Sequence, residues 1–294
     1  MVDDLVVRLS FRAPFDGGAL LGWLAPRAVP GVEEVDGHVY RRSLRLPGGP
    51  GVVELAMGAD SVGCRLWLED EREAATAEQL CRQLLDLDAD PVVVAGHLGA
   101  DPLIGALARR APGRRVPGSV DGAELAVRAV LGQQISVAAA RTGAGRLVAE
   151  HGDALPRPRG AVTSLFPAAG VIAGLDPARL PMPRARAAAL VGLCRALADG
   201  ELRLDVGADR AEARRRLLAL PGIGPWTAGY VAMRALGDPD VFLAEDLGVR
   251  HALRRLGGPD DPRAARALAA AWAPWRSYAS QHLWQAPGTP PALA

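Results

Sequence analysis

Residues 219–230 read ALPGIGPWTAGY. Leu220 closes an apolar run, Pro221, Gly222, Ile223, Gly224 and Pro225 follow, and Trp226, Thr227 and Tyr230 resume a helical pattern. Three readings fit such a stretch: a plain turn between helices, a hairpin that grips phosphate, or a strained loop carrying a nucleophile. Pro221 ends the first helix and Pro225 suits the first position of the next. Gly222 and Gly224 reach backbone angles closed to other residues and let another molecule approach the main chain. The first amides of the second helix have no intrahelical partner and form a partly positive end. A phosphate oxygen fits there without any basic side chain, and a turn of this kind holds nucleic-acid backbone without reading sequence. Glycine and proline alone favour an ordinary helix connection over that reading.

Other residues narrow the chemistry. All 34 basic residues are arginine, so no step can use a lysine amine. Cys64, Cys81 and Cys194 lie far apart in sequence, with neither a disulfide framework nor metal-ligand spacing, and read as buried thiols. The net charge of +1 hides an asymmetry: residues 1–100 hold 16 acidic and 9 basic residues, residues 101–294 hold 17 and 25. The second part is the one suited to a polyanion. No stretch approaches the ~18 apolar residues of a membrane span, and the acidic start MVDDLVVRLSFR is unlike a secretory signal. A cytosolic location and no membrane partner are expected. At 294 residues, 49% hydrophobic and 23% charged, the chain has the composition of a globular protein large enough for two or three domains.

The elements that must carry these residues change near residue 100. Before it, LVVRLSFR puts Val7, Leu9 and Phe11 on one face, and HVYRRSLRL, GVVELAM and VGCRLWLE follow as short strands. Two helical stretches, GALLGWLAPRA and ATAEQLCRQLLDL, interrupt them, the latter with Thr76 and Gln79 at capping-box spacing. This is an antiparallel sheet with helices, an α+β arrangement. From residue 101 the pattern is helical. DGAELAVRAVLGQQISVAAARTGAGRLVAEHG opens on Asp121 and Glu124, and DRAEARRRLLALPGIGPWTAGYVAMRALG opens on Asp209 and Glu212, both at capping-box spacing. No repeat of fixed period argues for a solenoid.

Together, LPGIGPWTAGYVAMRAL and DVFLAEDLGVRHAL resemble the helix-hairpin-helix motif, Gly/Pro-rich loop and aspartate of a superfamily of DNA base-excision glycosylases. VPGSVDGAELAVRAVLGQQISVAAA, PWRSYASQHLW and VYRRSL extend the resemblance over nearly the whole chain, toward the alkylation-repair DNA-3-methyladenine glycosylase II family. The implied fold is an α+β domain over 1–95, a helical subdomain from 96–118 plus 239–294 carrying Asp246 and Trp284, and a second over 119–238 holding the hairpin motif at about 209–236.

The resemblance places the catalytic carboxylate on Asp246, not Glu245. Cleaving an N-glycosidic bond leaves positive charge on the sugar, and a carboxylate beside the anomeric carbon stabilises it and orients water. Asp246 equally suits the cap of the helix beginning LGVRHAL, and the two roles are compatible. An alkylated purine such as 3-methyladenine carries positive charge and leaves without a strong general acid. Stacking between electron-rich rings then selects it, and the resemblance puts Trp226, Tyr230 and Trp284 around the flipped base. Core packing is the competing fate of these aromatics and the expected one for Trp272 and Trp275.

Strand-cutting relatives carry a lysine where this chain has Trp226, which implies a monofunctional enzyme that leaves an abasic site. The lack of a cysteine quartet argues against the iron-sulfur branch. Gly222, Gly224 and Thr227 are implied to meet the DNA backbone. Gln134 stands at the position of the wedge that fills the gap behind the flipped nucleotide, where the best-known member has leucine; otherwise it is a polar surface residue. The main-chain carbonyls of Leu218, Leu220 and Ile223 are implied to hold a monovalent cation, with no cofactor required. The implied partner is double-stranded DNA containing alkylated bases, bound by a monomer, and the zinc-binding methyl-acceptor domain of many relatives is not expected. Two other readings stand beside this one: a non-catalytic helix-hairpin-helix DNA-binding protein, and an interaction protein whose acidic N-terminal domain docks a partner.

Overall fold

The computed structural model describes residues 4–205 and 207–288; the extremities of the expected first and last segments, 1–3 and 289–294, lie outside them. Five strands, β1 (Leu5–Leu9), β2 (Glu33–Asp36), β3 (Val39–Leu46), β4 (Gly49–Met57) and β5 (Val62–Leu68), form an antiparallel sheet of order β1-β5-β4-β3-β2. Alternation builds it: Val62, Cys64, Leu66 and Leu68 of β5 are buried while Arg65 between them is exposed. Helix α1 (Gly17–Leu24) precedes β2, and α2 (Ala74–Leu85) follows β5, burying Cys81, Leu84 and Leu85. Cys64 and Cys81 meet in this core, where hydrogen bonding between them and burial push the Cys81 thiol up.

The rest is mainly helical: α3 (Pro91–Gly99), α4 (Gly105–Arg110), α5 (Gly122–Leu131), α6 (Val137–His151), then a hairpin of β6 (Ala154–Arg159) and β7 (Val162–Ser164). It continues through α7 (Ala169–Ala173), α8 (Arg184–Ala198), α9 (Arg210–Ala219), α10 (Pro225–Arg234), α11 (Leu247–Arg255), α12 (Pro262–Ala269) and α13 (Arg276–Trp284). Among the described residues no helix is long and apolar enough to cross a membrane.

The structure departs from the sequence reading in several places. The β6–β7 hairpin interrupts what was expected to be all helix, and it packs on the sheet: Thr163 and Ser164 donate to the Gly31 carbonyl, and Ser43 Oγ donates to Ser164 O at 2.8 Å. β1 stops at Leu9, and Phe11 reaches the core from a loop by stacking on Phe15. Thr76 and Gln79 do not open α2; a 3-10 turn begins it, capped by Asp70, and Thr76 lies exposed within the helix. Asp121 and Asp209 do cap α5 and α9, each accepting two backbone amides. Their partners Glu124 and Glu212 turn away to arginines, so the caps are one-sided. The expected continuous helix over 121–152 breaks at Gly132–Ser136, with Ser136 capping α6.

Two ties hold the sheet against the helices. Arg42 of β3 meets Glu124 of α5 at 2.6 Å, and Arg128 of α5 meets Glu33 of β2 at 2.9 Å. On the far side, Tyr278 of α13 donates to Asp86 Oδ2 at 2.8 Å, just past α2.

Candidate active site

Helices α9 and α10 pack against each other across the turn 220–224. Gly222 sits at φ +80°, and a Cβ there would come within 2.6 Å of Ala189 Cβ on α8. Both backbone angle and packing therefore require glycine at Gly222. Gly224 differs: it is the N-cap of α10 at φ −93°, and a Cβ there would meet nothing within 4 Å. Pro225 takes the first helical position, leaving the amides of Trp226 and Thr227 in the first turn without intrahelical partners. The Thr227 side chain is buried, and its hydroxyl accepts from Gln133 Nε2 at 3.0 Å, so only its main-chain amide is free to meet phosphate.

The break between α5 and α6 faces this hairpin. Gln134 at its tip is exposed at φ +59°, in the left-handed region. Its neighbour Gln133 donates to the Gly222 carbonyl at 3.1 Å as well as to Thr227, clamping the loop to the hairpin.

Asp246 lies between these two features. It caps α11, with Oδ1 accepting the Val249 amide at 2.9 Å. Oδ1 also accepts from Trp284 Nε1 at 2.8 Å, and Oδ2 from Trp226 Nε1 at 2.9 Å. The residue is 1% exposed, yet it borders a cleft of about 400 Å³ that the hairpin, the Gln133–Gln134 loop and the start of α11 enclose. Three N–H groups and a helix N-terminus thus hold one carboxylate in a fixed orientation. Glu245, also on the cleft, is tied to Arg266.

The aromatics form a row leading inward from the cleft. Trp226 and Tyr230 stack with ring centroids 5.2 Å apart and planes at 10°, Tyr230 meets Trp284 edge-on at 6.3 Å, and Trp23 lies 5.1 Å from Trp284. Of the expected trio only Trp226, half-buried, lines the cleft; Tyr230 and Trp284 are 6% and 4% exposed behind it. A base held between Trp226 and Tyr230 would need ~7 Å between planes, two contacts of ~3.5 Å each. The rings stack on each other instead, so the expected slot between indole and phenol is closed. Trp272 is fully buried with its indole on Asp101, and Trp275 packs on Tyr278, as core aromatics do.

Two residues of the site escaped the sequence reading. Trp23 sits in the apolar run of α1, where nothing separates it from a core tryptophan; Gln133 carries no signal beyond its place beside Gln134. As for the hairpin carbonyls, Leu218 lies in the last turn of α9, Leu220 O accepts the Ile223 amide at 3.1 Å, and Ile223 closes the turn. Neutral carbonyl oxygens at a helix C-terminus suit a monovalent cation. Among the described residues no group of His, Cys, Asp and Glu could hold a metal.

Two family models match the chain. Residues 6–121 match a family model described as the AlkA N-terminal domain, and residues 127–277 match one described as "HhH-GPD superfamily base excision DNA repair protein". Over 278 residues the chain is 52% identical to the "Probable bifunctional transcriptional activator/DNA repair enzyme AlkA" of Mycobacterium tuberculosis (strain H37Rv). The match covers 95% of this chain and 56% of that relative, so the chain spans about half its length. It is 36% identical over 288 residues to DNA-3-methyladenine glycosylase 2 of Escherichia coli (strain K12), covering 96% of this chain and 98% of the relative. The solved 3-methyladenine DNA-glycosylase from Archaeoglobus fulgidus shares the fold with a TM-score of 0.83 at 24% identity, over 95% of this chain and 97% of that one.

Proposed function

Because the chain belongs to the HhH-GPD superfamily of base excision DNA repair proteins, we propose that it is a monofunctional DNA glycosylase that removes alkylated purines. Its substrate on this reading is double-stranded DNA containing 3-methyladenine, 7-methylguanine and related lesions, and it works as a cytosolic monomer. The observation that carries the reading is Asp246: a carboxylate fixed by two indole N–H groups at the wall of a cleft bounded by a phosphate-type hairpin and an exposed wedge position.

The residues divide the work. Amides at Gly224, Trp226 and Thr227 hold backbone phosphate, and the carbonyls of Leu218, Leu220 and Ile223 would hold a monovalent cation that adds positive charge beside it. Gln134 fills the stack as the nucleotide leaves it. The extruded base stacks on the cleft face of Trp226, backed by Tyr230, where an electron-poor cationic ring gains cation–π attraction. As the bond to the base breaks, Asp246 faces the cationic sugar and orients water onto it. The base departs as a neutral molecule, and water supplies the hydroxyl of the abasic site, its other proton passing to solvent. No lysine amine can form a Schiff base with the sugar, because the chain has no lysine and Trp226 stands where the resemblance implies that amine in strand-cutting relatives.

Incubation with methylated duplex and chromatography of the supernatant tests this. Free 3-methyladenine and 7-methylguanine are expected above the uncatalysed background, with strands left uncut until alkali is added. Their absence would reject the activity, and borohydride trapping of protein on DNA would reject the monofunctional chemistry.

A further inference from the structure

Behind Tyr230, between the sheet and α5, lies a second cavity of about 50 Å³, room for a few water-sized species. Four arginines line it, Arg27, Arg42, Arg128 and Arg234, against two carboxylates, Glu33 and Glu124; a fifth, Arg141, stands at its exposed rim. The carboxylates are already saturated. Arg42 contacts Glu33 at 3.4 Å and Glu124 at 2.6 Å, and Arg128 contacts them at 2.9 and 2.8 Å. Glu33 also accepts the Val29 amide and the Tyr40 hydroxyl.

Arg27 and Arg234 are left with neutral partners only, among the described residues. Arg234 donates to the carbonyls of Pro117 and Gly118 and, at 2.6 Å, to the Tyr230 hydroxyl. Arg27 donates to Trp23 O at 3.0 Å, and its guanidinium lies 3.6 Å from the centroid of the Trp23 ring. Arg27 Nε is buried without a hydrogen-bond partner, and so is Ser119 Oγ, whose residue is 8% exposed and lines the same cavity. Two guanidinium charges in excess, that of Arg234 buried and that of Arg27 half-buried, with unmatched donors beside them, are costly to hold there unless a negative charge joins them.

We propose that this cavity binds a small inorganic anion, of halide or nitrate size, between Arg27 and Arg234, with the Ser119 hydroxyl as a further donor. The charge asymmetry within the cluster agrees. Against the penalty of burial, Glu124 and Glu33 raise Arg42 and Arg128, whereas burial, opposed by Tyr230 and reinforced by the charges of Arg234 and Arg128, lowers Arg27 to about 10. Burial lowers Arg234 also. Through its bond to Tyr230, Arg234 links the bound ion to the aromatic row behind the cleft.

The test uses the free protein, so that ion effects on DNA binding do not enter. Thermal midpoints are measured in sodium chloride, bromide and nitrate against sodium gluconate at matched ionic strength, for wild type, Arg27→Gln, Ser119→Val and the exposed control Arg214→Gln. General salt effects favour the anion excluded from the protein surface. The site predicts the opposite order: a saturable gain of ~2–5 °C in the small anions over bulky gluconate, kept by the control and lost in Arg27→Gln and Ser119→Val. Equal midpoints in all four salts, or a full gain in Arg27→Gln, overturn it. Should the variants fail to fold, crystals of the wild type in bromide decide. An anomalous peak within hydrogen-bonding distance of Arg27, Arg234 and Ser119 supports the site, and water or no peak there overturns it.

Discussion

Replacing Asp246 by asparagine alters the fold and the proposed chemistry through the same two oxygens. Asparagine has one acceptor oxygen and one donor nitrogen where the carboxylate has two acceptors. If the oxygen keeps the Val249 amide and Trp284 Nε1, which Oδ1 now serves, the nitrogen faces the Trp226 indole N–H in the place of Oδ2. One buried hydrogen bond is then unmade, at ~1–3 kcal/mol, and Tm should fall by ~2–10 °C while the protein remains folded at assay temperature. The chemical effect is larger. A unit charge ~4 Å from the cationic sugar, at an effective dielectric near 20, is worth about 4 kcal/mol, and its removal slows the step ~1000-fold. Single-turnover release of 7-methylguanine, with enzyme in excess over duplex, isolates that step from binding and product release. The expected result is a ~1000-fold lower first-order constant with duplex affinity kept. A constant within ~10-fold of wild type in folded protein would refute the assignment of this carboxylate to the transition state.

The two hairpin glycines should separate folding from binding. Gly222→Ala is expected to lose ~2–4 kcal/mol in urea unfolding, from left-handed strain and overlap with Ala189. Gly224→Ala, a change of N-cap residue, should cost only ~1 kcal/mol yet bind every duplex sequence more weakly by the same factor in fluorescence anisotropy. Gln133→Ala removes both bonds between loop and hairpin and should slow base extrusion ~5–30-fold, read from a fluorescent base beside the lesion. His282 is 4% exposed, and burial, together with the charge of Arg114, lowers it to about 3. Its folded value lies below the unfolded one near 6.5, so the stability it confers is present above pH 6.5 and lost at ~1.4 kcal/mol per pH unit as pH falls toward 3. His282→Gln should flatten that part of the stability profile in urea titrations.

The strands with regular alternation, β3, β4 and β5, and the helices flanking the hairpin were legible from sequence because apolar period and turn residues agree there. β2 was not: Glu-Glu-Val-Asp has no strand composition, and its Glu33 is held by Arg42 of the next strand and by Arg128, 95 residues away. Pro156 and Pro158 hid β6, which pairs with β7, the strand whose Thr163 and Ser164 lean on the sheet through contacts to Gly31 and Ser43. The break at Gly132–Ser136 escaped notice because alanine-rich sequence on both sides keeps a helical pattern through it. In the site, the spacing of Trp226 and Tyr230 correctly put them on one helix face. Whether two rings leave a slot or close on each other depends on neighbours such as Trp284 and Trp23 from other elements, which spacing does not encode.

The clamp made by Gln133 also bears on how such a protein searches. If Gln134 is the wedge as proposed, then with its loop fastened to the hairpin by the two bonds of Gln133, taking hold of a phosphate and pressing on the neighbouring base stack become one motion. On the proposed reading, each landing on DNA is already an interrogation. An intact, well-stacked pair resists the push and sends the protein onward, while a weakened one yields before any chemistry begins.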